Sequence, residues 1–165
     1  MRVYEGGSKK TINDITLATV PAFQRGGSII PYKFRLRRSS KQMLQDPFTL
    51  VIALDKNDSA KGELYFDDSI SYNYRKTNEF VHREFQFKNN KLTSKELNPS
   101  GKFTTKAWIE RVIIYGVKSE PKSIRIEDAN KQSAQLQFTY DPNGQTLLIR
   151  KPAVNINIDF SMVIQ

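Results

Sequence analysis

Few residues in this sequence could do chemistry, and the first is the single histidine, His82. An imidazole can act as a general base near neutral pH, alone or in a Ser-His-Asp arrangement, but the flanking residues Glu79 to Lys88 offer no partner. Its neighbours Val81, Phe85 and Phe87 read as a strand, so a partly exposed strand histidine is expected. Asp67 and Asp68 suggest the carboxylate pair of glycoside hydrolysis. A retaining pair, however, faces across a sugar at about 5 Å, whereas adjacent residues of one chain point in different directions. Within Tyr65-Phe66-Asp67-Asp68-Ser69 both are expected to accept backbone amides at a turn. Calcium ligation is the alternative, without the oxygen-rich loop of an EF-hand. No catalytic, cofactor or metal residue is assigned.

Cysteine is absent, which excludes disulfides, thiolate nucleophiles and sulfur-ligated zinc. Gly6-Gly7 and Gly26-Gly27 fit neither phosphate-binding pattern and read as positions of unusual backbone angle or close packing. The formal charge of +9 raises nucleic acid as a partner. In the densest cluster, Lys33, Arg35, Arg37, Arg38 and Lys41, alternation sets Phe34 and Leu36 against Arg35 and Arg37. That is also the pattern of a half-exposed strand, so a solvated basic face is expected and nucleic acid is not the expected partner. Phe48, Phe85, Phe87 and Phe138 fall on apolar strand faces, leaving Tyr72, Tyr74 and Tyr4 as candidates for sugar or base stacking. Asn57-Asp58-Ser59 fits the N-glycosylation acceptor pattern, whereas proline excludes Asn98-Pro99-Ser100.

The elements that must position these groups are strands. Period-two alternation runs through Phe48, Leu50, Ile52 and Leu54, and through Ala134, Leu136, Phe138 and Tyr140. It is strictest through Val154, Ile156, Ile158, Phe160, Met162 and Ile164, which are expected to form one last strand. Turn residues recur about every ten positions, among them Lys56-Asn57-Asp58, Lys88-Asn89-Asn90 and Asp141-Pro142-Asn143-Gly144, the spacing of an antiparallel β-sandwich. Trp108 to Tyr115 carries apolar groups on both faces and reads as a central strand, a short helix being the alternative.

The 165 residues, 38% hydrophobic, suffice for a real core. No run approaches the roughly 18 to 20 apolar residues of a membrane helix, and the start lacks a signal-peptide pattern, so a soluble chain is expected. A boundary is expected near Gln45 to Pro47. Before it, residues 1–38 offer about three short strands, including 15–20 and 28–31, too few for a core of their own.

The stretch Ile15-Thr16-Leu17-Ala18-Thr19-Val20-Pro21-Ala22-Phe23-Gln24-Arg25-Gly26-Gly27-Ser28-Ile29-Ile30-Pro31 resembles the segment that follows the catalytic barrel in retaining α-glucosidases of glycoside hydrolase family 31. Gly62-Glu63-Leu64-Tyr65-Phe66-Asp67-Asp68, with Tyr72 and Tyr74 beyond, is similar to that family's Leu-Tyr-x-Asp-Asp-Gly turn, with Ser69 where the glycine usually stands. Arg35-Leu36-Arg37-Arg38-Ser39-Ser40, Asp46-Pro47, Trp108-Ile109-Glu110-Arg111-Val112 and Leu148-Ile149-Arg150-Lys151-Pro152 look most like a member from the endoplasmic reticulum lumen.

The resemblance implies the end of a proximal C-terminal β-domain over residues 1–46 and a distal β-sandwich over 47–165. It implies a parent that trims α-1,3-linked glucose from N-glycans and pairs with a noncatalytic beta subunit. The family's catalytic carboxylates lie on a (β/α)₈ barrel, and no residue here matches their motifs. The segment's partners would thus be that barrel, the beta subunit and the parent's glycan. Arg25, Gly26 and Gly27 are expected to shape a loop supporting the barrel-facing side, simple turn architecture being the alternative.

Overall fold

The alternating apolar residues do build strands, and almost nothing else. The structure is a computed structural model that describes residues 4, 6–13 and 15–165. Its strands are β1 (Ser28–Tyr32), β2 (Phe48–Ala53), β3 (Ala60–Phe66), β4 (Val81–Lys88), β5 (Lys91–Glu96), β6 (Trp108–Tyr115), β7 (Ile124–Asp128), β8 (Ser133–Gln135), β9 (Gln137–Asp141), β10 (Thr146–Asn155) and β11 (Phe160–Ile164). One helical turn, α1 (Asn73–Lys76), and a 3₁₀ turn at Ser40–Met43 complete the regular structure. Among the described residues no helix is long and apolar enough to cross a membrane.

The strands join in the order β8-β7-β11-β5-β4-β3-β1-β2-β6-β10-β9. Laid flat at ~4.8 Å per strand they would span roughly 50 Å. Yet Ile52 of β2, Ile114 of β6, Phe85 of β4, Leu92 of β5 and Met162 of β11 belong to one core. The sheet is therefore folded over on itself, with β8-β7-β11-β5-β4-β3 as a back layer and β1-β2-β6-β10-β9 as a front layer. The expected all-β sandwich is present, with two exceptions to antiparallel pairing: β1 lies parallel to β3 and β2 parallel to β6. β1 precedes the boundary expected near 45–47, but it pairs with β2 and β3 beyond it, and Ile29 enters the shared core.

Three stretches differ from the sequence reading, each for a visible reason. The strict alternation from Val154 to Ile164 is two strands. Chain reversal at 156–159, where Ile158 N donates to Asn155 O at 3.1 Å, carries it from β10 in the front layer to β11 in the back. Ile156 stays buried through that crossing, so the period survives without a continuous strand. Likewise Ala134 to Tyr140 is split at buried Leu136, which links β8 at one border of the sheet to β9 at the other.

Trp108 to Tyr115 is the expected central strand with apolar groups on both faces, Ile113 pointing away from the core, and it carries a β-bulge. Phe48 pairs with Ile109 but Thr49 with Arg111, so Glu110 is the extra residue and Ile109, Val112 and Ile114 all reach the core. Finally, residues 15–20 form no strand; Leu17 and Val20 are almost fully exposed and Thr19 N closes a turn on Thr16 O.

Candidate functional site

The Asp67-Asp68 pair lies just past the end of β3 and accepts backbone amides, as a turn requires. Asp67 Oδ1 takes Ser69 N at 2.8 Å, and Asp68 Oδ1 takes Ile70 N at 3.1 Å and Ser71 N at 3.0 Å. Hydrogen bonds from Ser71, side chain first, and from the Ile70 amide hold the Asp68 carboxyl below its usual range. Ser69 adopts φ +60°, the left-handed conformation for which glycine is suited.

Around this turn lie several rings. Tyr65 stacks on Phe80 at 5.6 Å, and Tyr72 stands 6.3 Å from Tyr74. Tyr72 is 67% exposed. Burial, and then the Asp67 carboxylate, raise the Tyr65 hydroxyl above its usual pKa. His82 sits on the outward face of β4, its Nε2 3.1 Å from Glu63 Oε2 on β3. Its ring meets the Tyr65 ring edge-on at 6.0 Å. A recess of about 500 Å³ along β9 and one of about 240 Å³ near Gly116 to Pro121 are lined by neither His82, Asp67 nor Asp68.

Arg25-Gly26-Gly27 opens β1. Gly27, at φ +84°, donates its N to Ala53 O at 2.7 Å and accepts Lys61 N at 3.0 Å, stitching β2 to β3. A Cβ on Gly26 would stand 3.2 Å from Leu54 O. Ser28 Oγ donates to Arg25 O at 2.6 Å, and Gln24 Nε2 reaches Val51 O at 3.0 Å.

The basic cluster is solvent-exposed, as expected, except at Lys33. Residues 33–38 are an irregular arm rather than a strand; Arg35, Arg37, Arg38 and Lys41 are exposed and Lys33 is half-buried. Lys33 Nζ donates to Met43 O (2.7 Å) and Leu44 O (3.1 Å) and lies over the Phe48 and Phe66 rings at 4.5 and 4.3 Å. That burial lowers its pKa to about 8 against the opposing pull of Asp46. Arg37 forms a fork with the buried Asp46 at 2.9 and 2.6 Å, holding that carboxyl below its usual range. Arg35 pairs with Glu110 and lies 5.6 Å over Trp108. Phe34 and Leu36 consequently point outward. The Met43 and Leu44 carbonyls, the Asp46 and Glu110 carboxylates and the ring faces at this end of the sandwich hold these cations in place.

The segments that carried the family resemblance thus converge. The arm docks on Asp46 and Trp108-Ile109-Glu110, and the β6 bulge faces a second one on β10, where Lys151 and Ala153 take φ of +51° and +53° around Pro152. One group escaped sequence reasoning. Arg83 is 1% exposed on the core face of β4, where it bonds Ser94 Oγ and Asp159 Oδ1. Its signal was a charge in phase with Val81, Phe85 and Phe87.

No family profile matches the chain. It is 41% identical over 148 residues, 90% of its length, to neutral alpha-glucosidase AB of Homo sapiens. It is 40% identical over 167 residues, 96% of its length, to a probable glucan 1,3-alpha-glucosidase of Oryza sativa subsp. japonica. The chain spans about a sixth of the length of these curated relatives, 16% and 18% respectively. Crystal structures of the glucosidase II alpha subunit match 86% of this chain and 17% of their own at 28% identity. The TM-score is 0.76 for a form bound to Glc1Man2. It is 0.74 for the ER heterodimer of catalytic subunit and regulatory-subunit binding domain. Sequence and fold together show that the chain belongs to glycoside hydrolase family 31, as a segment related to part of the glucosidase II alpha subunit.

Proposed function

We propose that the chain is the non-catalytic C-terminal β-domain segment of an α-glucosidase resembling the glucosidase II alpha subunit, serving to support a catalytic barrel elsewhere in the same polypeptide. The supporting observation is the match of nearly the whole chain to only about a sixth of each relative, combined with an Asp67-Asp68 pair already committed to its own backbone. On this reading residues 1–46 are the end of a preceding β-domain, anchored in the sandwich through β1. Arg25, Gly26 and Gly27 shape the side turned toward the barrel. The parent works in the endoplasmic reticulum lumen on α-1,3-linked glucose of N-glycans, with a regulatory beta subunit as partner. Assaying the 165-residue chain and the longer enzyme side by side on a chromogenic α-glucoside tests it. Turnover is expected from the longer chain only, and turnover by the segment alone defeats the proposal.

A second reading is a sugar-binding module, favoured by the exposed Tyr72 ring beside Tyr74. Titration with glucose-capped oligosaccharides, with and without Tyr72→Ala and Tyr74→Ala, decides it. Binding that those substitutions abolish supports this reading, and absence of binding removes it.

A further inference from the structure

The two layers differ in what they turn outward, and the pairing register shows it. In the back layer Lys61, Gln86, Thr93, Ser161, Glu127 and Ser133 stand opposite one another across β3, β4, β5, β11, β7 and β8, an unbroken polar row. The matching row of the front layer is Ile30, Val51, Ile113 and Leu148 across β1, β2, β6 and β10, with Thr139 only at the border. Their neighbours Ile29, Ile52, Ile114 and Leu147 fill the core, so these four face away from it. Val51 is buried, while Ile30, Ile113 and Leu148 are partly buried.

We infer that this outer face of β1-β2-β6-β10 is the surface on which the rest of the longer α-glucosidase chain packs, an inference that rests on the function proposed above. Two observations support this occupant. The apolar row continues into Tyr32, which stacks on Phe34 at 5.2 Å, and the outward Phe34 and Leu36 extend it. And the relatives carry about five-sixths of their length outside this segment, enough chain to cover it. Arg111 and Arg150, paired with each other and with Thr49 and Gln137 in the next row, rim the patch with positive charge, so the covering surface should be apolar with an acidic margin.

Carbene footprinting of the intact, active full-length enzyme tests this. Ile113, Leu148 and Tyr32 should label several-fold less than Tyr72 and Leu97. Ile113→Lys and Leu148→Lys should lower the full-length thermal midpoint and activity, while Thr93→Lys on the opposite layer changes neither. If these lysine variants fail to fold, the footprint of the unaltered enzyme still decides. Labelling of the row as strong as that of Tyr72 in an enzyme that turns over normally overturns the inference while leaving the proposed function standing. Protection that appears only at high protein concentration, or only with added oligosaccharide, also overturns it by assigning the face to a second copy or to a glycan. Failure of the parent reading registers separately, as turnover by the 165-residue segment alone.

Discussion

Arg35 Nη2 donates to Glu110 Oε1 at 2.9 Å, tying the basic arm to the residue that makes the β6 bulge. The pair is substantially exposed, so its own worth is about 0.2–1 kcal/mol. Arg35→Ala should therefore shift the urea midpoint slightly, and Asp46→Ala, which strands the forked Arg37, should shift it more. Equal shifts would contradict the geometry.

Arg83 supplies a sharper contrast. Asp159→Ala leaves a guanidinium 1% exposed with only Ser94 Oγ for company, and should cost about 2 kcal/mol or more. Arg83→Met removes the buried charge itself and should cost less. Denaturant unfolding of the two variants orders them.

Two backbone positions predict opposite outcomes. A Cβ at Gly62 would fall 1.9 Å from Ile29 O, where β3 meets β1, so Gly62→Ala should cost on the order of 3 kcal/mol or prevent folding. Ala153, at φ +53°, pays for a conformation that glycine adopts freely, and Ala153→Gly should stabilise by about 1 kcal/mol. Ser69→Gly, at φ +60°, should stabilise by a similar amount, the relief at both positions being net of glycine's larger unfolded-state entropy. Thermal midpoints check all three.

Lys33 gives a pH signature. Its folded pKa is lowered to about 8 from 10.5, so between those values the unfolded chain binds more protons than the folded one. Stability should rise as pH climbs from about 8 to 10.5, and Lys33→Met should remove that rise. Denaturation midpoints measured across the window would show it.

The Asp67-Asp68 turn should matter for stability rather than turnover. In the full-length enzyme, Asp67→Asn and Asp68→Ala should lower the thermal midpoint while kcat/KM per folded molecule stays unchanged. A drop in kcat with intact folding would give these carboxylates a chemical role.

Much of the architecture was legible because burial alternates along a strand and turn residues interrupt it: β2, β4 and the hairpin of β9 and β10 follow from that alone. The crossings at Leu136 and at 156–159 were hidden because a chain passing between layers keeps one side toward the core, preserving the period without the strand. The bulge at Glu110 was hidden because one extra residue shifts the phase, setting Ile109 on the core face with Val112 and Ile114 while Ile113 lies on the other. The Asp67-Asp68 turn could be read from local chemistry. The partners of Lys33, Arg35 and Arg37 could not, because Asp46 and Glu110, Met43 O and Leu44 O become neighbours only after the sandwich closes.

The parallel junction of β2 with β6 joins Thr49 to Arg111 across the intervening β3, β4 and β5. Local meanders such as β3-β4-β5 can form at low loop-closure cost, whereas this long-range junction must wait for them. During synthesis the apolar row on β1 and β2 thus lacks its β6 neighbour until Tyr115 has left the ribosome, and β6 lacks β10 until Asn155 has. A nascent chain halted before Asn155 should recruit chaperones that the finished one releases.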